Sequence, residues 1–295
     1  MSEGSLRAAV GGPMPVEMIE VEGSRLAISR RGKGTPVICL HATGHGGGDF
    51  NLFAERVGSH FEVITIDWPG QGRSLQDEFA ASAAHYASLL EAAIPRLTPE
   101  QPILLGNSIG GAAALLYAAR HPERVRALVL CNPGGLAPLD PVARTFIRGM
   151  IAFFSAGARG AGWFPAAFAA YYRMVLRRKP ASEQRARIVA SCREIAPVLA
   201  QAWRSFGRPE ADLRALVPAL AVPVFYAWAK DDQVVAWSRS KAAALRAPNH
   251  HVEMFRGGHA PFLEEPDAFA RSFIAYARYI ASQEKDHEPV RYHAR

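Results

Sequence analysis

A serine hydroxyl hardly ionises at neutral pH, so it becomes a nucleophile only beside a base and in a place that exposes it. The run Gly106-Asn107-Ser108-Ile109-Gly110-Gly111 sets a serine between two glycines at the G-x-S-x-G spacing. That spacing suits a strained strand-to-helix turn, where residues two positions either side of the nucleophile must be small. The Ile109 N–H, just past the turn, then serves an oxyanion. The base should be a histidine, and His259 stands out among the ten. It lies in Gly257-Gly258-His259-Ala260-Pro261, just after an apolar run, on a loop leaving the carboxyl edge of a sheet, where Ser108 also points. His250, His251, His287 and His293 read as surface residues. An imidazole base needs a carboxylate to fix its tautomer. Asp231 and Asp232 both follow the apolar run 224–229, and residue type alone leaves both open. Ser, then Asp, then His is the chain order of a hydrolase built on a nucleophile elbow.

A second oxyanion donor is expected in His41-Ala42-Thr43-Gly44-His45-Gly46-Gly47-Gly48, after the apolar run 37–40, with the Thr43 N–H partnering that of Ile109. The loop has neither phosphate-cradling pattern, G-x-G-x-x-G nor G-x-x-x-x-G-K-[ST], so nucleotide binding is not its expected use. Asp67 opens the turn-rich run to Ser74 and is expected to shape the sheet edge without catalytic duty. No cofactor or metal is called for, and the expected partner is a small-molecule substrate, not nucleic acid.

These residues need a frame. Continuous apolar runs at 37–40, 63–66, 103–105, 127–130 and 224–227 have the character of strands buried on both faces. Helix-length segments lie between them near 49–57, 82–94 and 109–120, and a hairpin precedes them at 16–21 and 25–29. Strand alternating with helix predicts an α/β protein with a doubly wound, mostly parallel sheet. The alternation stops over 138–208, which reads as an inserted helical cap, and resumes with a strand at 252–255 and a helix at 269–282. The core is expected over 16–137 and 209–283, flanked by a disordered segment 1–15 and a frayed tail 284–295. The 295 residues are 49% apolar, enough for one large core.

The net charge of +7 gathers between Arg144 and Arg214. A solvated helical face accounts for it as well as attraction of an anion does. Cys39, Cys131 and Cys192 form no CxxC pair, which with the lack of a signal-like start points to a cytoplasmic protein. The uncharged window 101–119 is broken by Pro102 and three glycines, so no stable membrane insertion is expected.

Taken together, the motifs resemble the α/β-hydrolase superfamily, in its cap-bearing branch of esterases, haloperoxidase-like enzymes, dehalogenases, epoxide hydrolases and carbon–carbon hydrolases. The resemblance spans about 16–282 and implies an eight-stranded sheet. The run His41 to Gly46 resembles the family's His-Gly-x-x-Gly, with Ala42 in place of the usual glycine, and Asp67 to Ser74 matches its Asp-x-x-Gly-x-Gly-x-Ser. Its Gly-x-x-Asp-x-x-Val, laid on 229–235, selects Asp232 over Asp231, and its histidine falls on His259. Dehalogenases and epoxide hydrolases of this family use an aspartate nucleophile, and Ser108 argues against both. The resemblance therefore implies hydrolysis of an ester, thioester or lactone of a small apolar acid, by a monomer or homodimer. The run Asn107 to Gly111 also resembles that of hydrolases cleaving vinylogous diketones, although Ala260 stands where those often carry tryptophan. A few members of the family act as ligand receptors. The aromatic residues of 146–203 are expected mainly to pack, with some lining the cavity, and Arg177-Arg178-Lys179 to be a solvated helix end.

Overall fold

A computed structural model describes residues 15–286. Of the expected flanking segments, residues 1–14 and 287–295 lie outside the described residues. Eight strands form one sheet: β1 (Val16–Val21), β2 (Ser24–Arg31), β3 (Thr35–Leu40), β4 (Phe61–Ile66), β5 (Ile103–Asn107), β6 (Ala127–Cys131), β7 (Val224–Ala229) and β8 (His250–Phe255). Their order is β1-β2-β4-β3-β5-β6-β7-β8. β1 and β2 form an antiparallel hairpin, turned through Glu22 and Gly23 at φ 48° and 75°, as a two-residue hairpin loop requires. β2 runs antiparallel to β4, and all later pairings are parallel. Every residue of β5, β6 and β7 is buried, which is why these strands are apolar without alternation.

The helices between the strands are α1 (Asn51–Val57), α2 (Ala83–Leu97) and α3 (Ile109–Arg120). Between β6 and β7 come α4 (Pro141–Ala158), α5 (Phe164–Val175), α6 (Ser182–Ala190) and α7 (Cys192–Phe206); α8 (Trp237–Ala244) lies between β7 and β8, and α9 (Pro261–Glu264) and α10 (Pro266–Asp286) follow β8. Local chemistry fixes several starts. Ser82 caps α2 by accepting from the His85 N–H, and Asp140 caps α4 by accepting from the Ala143 N–H, with Pro141 behind it. Two helices extend beyond the sequence expectation. α2 continues through Pro95 to Leu97, since a proline this near a helix end removes one hydrogen bond while Leu97 gains burial. α10 begins at Pro266 and runs to Asp286; Glu284, expected in the frayed tail, lies on it and pairs with Arg126 at 2.5 Å.

α4 to α7 share an aromatic interior. Phe154, Phe164 and Phe168 are fully buried, and Phe154 meets Trp203 of α7 with ring centroids 6.4 Å apart. Gly157 is required there, because a Cβ would stand 2.4 Å from the Phe164 ring. The three cysteines are buried and free. Among the described residues no helix is long and apolar enough to cross a membrane.

Candidate active site

Five neighbouring parallel strands, β3, β5, β6, β7 and β8, end on one edge of the sheet. Past those ends stand, in the same order, Thr43, Ser108, Asn132, Asp232 and His259. Ser108 takes φ 55°, ψ −117°, one of three non-glycine residues at positive φ among those described. Such a conformation costs about 1–3 kcal/mol and persists only where its surroundings overdetermine it. Here the Ser108 N–H donates to Cys131 O, and its carbonyl accepts from Ala112 N–H and Gly134 N–H, all at 3.0 Å. The glycine spacing has a direct cause. A Cβ on Gly106 would stand 2.6 Å from Gly110 O, and one on Gly110 would stand 2.3 Å from Leu40 O. Both obstacles are backbone. Gly110→Ala is therefore expected to lose about 3 kcal/mol of stability, read as a lowered urea midpoint with unchanged slope.

His259 is buried, and its Nδ1 lies 2.7 Å from Asp232 Oδ2. The same oxygen accepts from Asn132 Nδ2 at 2.6 Å, and Oδ1 accepts from the Val234 and Val235 N–H groups at 2.7 and 3.0 Å. Asn132 is itself fixed, because its Oδ1 accepts from Ala229 N–H. Asp231 faces elsewhere, toward the Gly257 N–H at 3.4 Å. Burial pushes the His259 pKa down, but the Asp232 charge, their hydrogen bond and the Glu264 charge outweigh it, and the net shift is upward from 6.5. Ser108 Oγ makes no hydrogen bond to His259 among the described residues; the two side chains share the wall of one cavity.

Glu264 is fully buried and accepts four backbone N–H bonds. Oε2 takes those of Gly258 (2.6 Å) and His259 (3.2 Å), and Oε1 those of Arg177 (2.6 Å) and Arg178 (3.0 Å). One carboxylate thus fastens the histidine loop to the chain leaving α5. Arg177 and Arg178, expected as a solvated helix end, contribute their main chain to this contact. A glutamine would set an amide NH2 against two of these donors, so Glu264→Gln is expected to lose about 3 kcal/mol by thermal denaturation. Asn107 adds a second tie, its Nδ2 donating to both Cys131 O and His259 O at 2.9 Å.

The loop after β3 is held from behind. The Gly44 N–H donates to Gln71 Oε1 at 2.6 Å, and Gln71 Nε2 donates to Tyr86 Oη. Buried His41 accepts from the Trp68 N–H through Nε2, with Nδ1 2.7 Å from Ala42 O, and burial lowers its pKa. Asp67 accepts from the Gly47 and Arg73 N–H groups. Ala42 lies outside the positive-φ set, whereas Gly44 has φ 80°, so alanine fits in place of glycine. The backbone N–H groups of Thr43 and Ile109 donate to no other backbone group among the described residues outside regular helices and strands.

Thr43, Ser108 and His259 border a cavity of about 320 Å³. Most of its wall is apolar, and α4, α5 and α7 contribute much of that apolar part, including Phe146, Ile147, Tyr171, Tyr172, Leu199 and Trp203. Phe153, Trp163 and the buried Phe154, Phe164 and Phe168 stand behind that wall. Burial, then the Asp232 charge, push the Tyr171 phenol up, so it stays protonated beside the site. Sequence reasoning missed Asn132 and Glu264 and gave Asn107 no role. A polar residue at the carboxyl end of an apolar strand was a usable signal for Asn132; Glu264, between Leu263 and Glu265, offered none.

Such a sheet edge, with a serine on a strand-to-helix turn and a carboxylate-bound histidine on the wall of the same cavity, is of the kind found in nucleophile-elbow hydrolases. A family model described as the Alpha/beta hydrolase family matches residues 37–272. The chain belongs to the alpha/beta hydrolase family and is an enzyme of it. It is 29% identical over 274 residues to a pimeloyl-[acyl-carrier protein] methyl ester esterase of Chromobacterium violaceum, covering 88% of this chain and 99% of that one. Among solved structures it is similar to an esterase from Thermogutta terrifontis, with TM-score 0.74, 20% identity, and 90% and 99% of the two chains covered. It is also similar to the enol-lactonase from Burkholderia xenovorans LB400, with TM-score 0.74, 18% identity, and 89% and 100% covered.

Proposed function

We propose that the protein hydrolyses a small, largely apolar carboxylic ester, in the wide sense of ester, thioester or lactone, through an acyl-enzyme on Ser108. The observation that carries this reading is the pair His259–Asp232, 2.7 Å apart, with His259 on the wall of the cavity that also holds Ser108. Donation of Nδ1–H to Asp232 leaves the Nε2 lone pair free to accept the Ser108 proton. The serine oxygen attacks the carbonyl, and the Thr43 and Ile109 N–H groups, the latter at the positive end of α3, receive the oxyanion. The imidazolium then protonates the leaving alkoxide. Water repeats the sequence on the acyl-enzyme and releases the acid. The segment 138–208 acts as a cap that sets substrate shape, since α4, α5 and α7 supply much of the apolar wall. The relative named for a methyl ester esterase supports an ester over a carbon–carbon bond.

The test is mass spectrometry of the Ser108 peptide after rapid quenching with short-chain nitrophenyl esters, beside a steady-state screen of esters, thioesters, lactones and vinylogous diketones. An acyl adduct on Ser108 with ester turnover is expected. Turnover of the diketones alone, or an unmodified Ser108 peptide during rapid turnover, would overturn the reading.

A further inference from the structure

A second histidine stands on the cavity wall, and no step of the proposed reaction uses it. His45 is buried, and its Nδ1 lies 2.5 Å from Asp49 Oδ2. Asp49 is buried too, and its other oxygen accepts from Gln184 Nε2 of α6. The ring is thereby held at one nitrogen by a carboxylate that is itself oriented. Its Nε2 has no protein partner among the described residues, although the residue borders the cavity with Ser108 and His259.

His41, four residues earlier, shows what a structural histidine does in this loop: both of its nitrogens meet backbone groups. His45 instead resembles His259, with one nitrogen on a buried carboxylate and the other without a protein partner among the described residues. Its neighbours add to the pattern. The Tyr172 ring lies 5.7 Å from the His45 ring, and its hydroxyl has no hydrogen bond among the described residues. Burial holds that phenol protonated, so it is a donor. Two positions before His45, Thr43 Oγ1 is buried without a partner. Buried polar groups in native proteins are nearly always satisfied, so unspent ones beside an apolar cavity point to a ligand atom.

We infer that His45 and Tyr172 form a polar subsite that binds a second oxygen function of the substrate, a hydroxyl or a carboxylate, besides the ester that Ser108 attacks. Two residues of backbone span at most about 7 Å, so the second oxygen sits within the reach of a short acyl chain from the carbonyl held at Thr43. The substrate class is then a short-chain ester carrying a polar end, and His45, fixed by Asp49, selects it over the plain alkyl ester. This rests on the ester-hydrolase reading.

The experiment compares kcat/KM for methyl hexanoate, its terminal-hydroxyl counterpart and monomethyl adipate, in the wild type, His45→Leu and Tyr172→Phe. The quantity read is the ratio of polar-ended to plain substrate on one enzyme, so loss of folded protein cancels. The wild type is expected to favour one polar-ended ester by about tenfold or more, and each variant to lose most of that preference through KM. Which polar end is preferred distinguishes hydroxyl from carboxylate. A wild-type ratio near one, or an unchanged ratio in both variants, overturns the subsite. A parallel arm needs no turnover: hexanoate, hydroxyhexanoate and adipate are ranked by the rise in Tm they give Ser108→Ala, with and without His45→Leu. If no ester is hydrolysed but the polar-ended acids still stabilise the protein through His45, the subsite stands and the ester reading falls. Equal stabilisation by all three acids overturns the subsite whatever the reaction.

Discussion

Ser108→Ala is expected to lower kcat on short-chain nitrophenyl esters by about ten-thousand-fold or more, because removing the nucleophile of a group that acts as a unit forfeits the whole covalent route. The residual rate is expected to be that of the proposed oxyanion donors and the cavity, which the variant keeps. KM should change little, since the hydroxyl contributes more to the transition state than to the bound ester. Stability provides an independent check. Alanine keeps the Cβ that makes φ 55° costly, so its unfolding midpoint should match the wild type. Ser108→Gly removes that Cβ and should gain about 1 kcal/mol while being equally inactive. Ester turnover by Ser108→Ala at the wild-type rate would remove Ser108 from the chemistry.

Asp232→Asn is expected to lower kcat by about a thousand-fold to ten-thousand-fold. The Val234 and Val235 N–H groups hold one oxygen, so an asparagine settles with its carbonyl there and its NH2 toward His259. Two donors then meet at His259 Nδ1, and the ring moves its proton to Nε2, where it can no longer accept from Ser108. The pH profile carries the sign. The proposed mechanism requires the base form of His259, so in the wild type kcat/KM is expected to fall as pH drops through a pKa raised above 6.5. Asp232 supplies two of the three upward causes, and burial, which pushes down, remains in the variant. The acid limb should therefore move to lower pH. A limb that stays in place would mean that another group controls it.

The frame was legible in the sequence where burial on both faces leaves unbroken apolar runs, as in β3, β5, β6 and β7. The turn at Ser108 was legible because a backbone collision forces glycine at fixed positions, and a forced residue leaves a mark that any reader can find. Asp231 and Asp232 were not separable by type: they are adjacent and equally acidic, and only the turn after β7 decides which carboxylate faces His259. Asn132 lies 100 residues from Asp232 and Glu264 lies 87 from Arg177, so their contacts exist only once the chain has closed. His45 looked like one more residue of a glycine-rich loop because Asp49 has no meaning as its partner until the loop turns back at 47–50.

Glu264 also bears on how this scaffold can be re-engineered. Exchanging the helices between β6 and β7 for those of a relative is an obvious route to a new substrate range. The incoming segment must then present two main-chain N–H groups where Arg177 and Arg178 now offer theirs. A graft that omits them leaves half of a buried carboxylate unanswered directly beneath the histidine. Compatibility between donor and recipient would thus be decided at this seam, before any pocket residue is chosen.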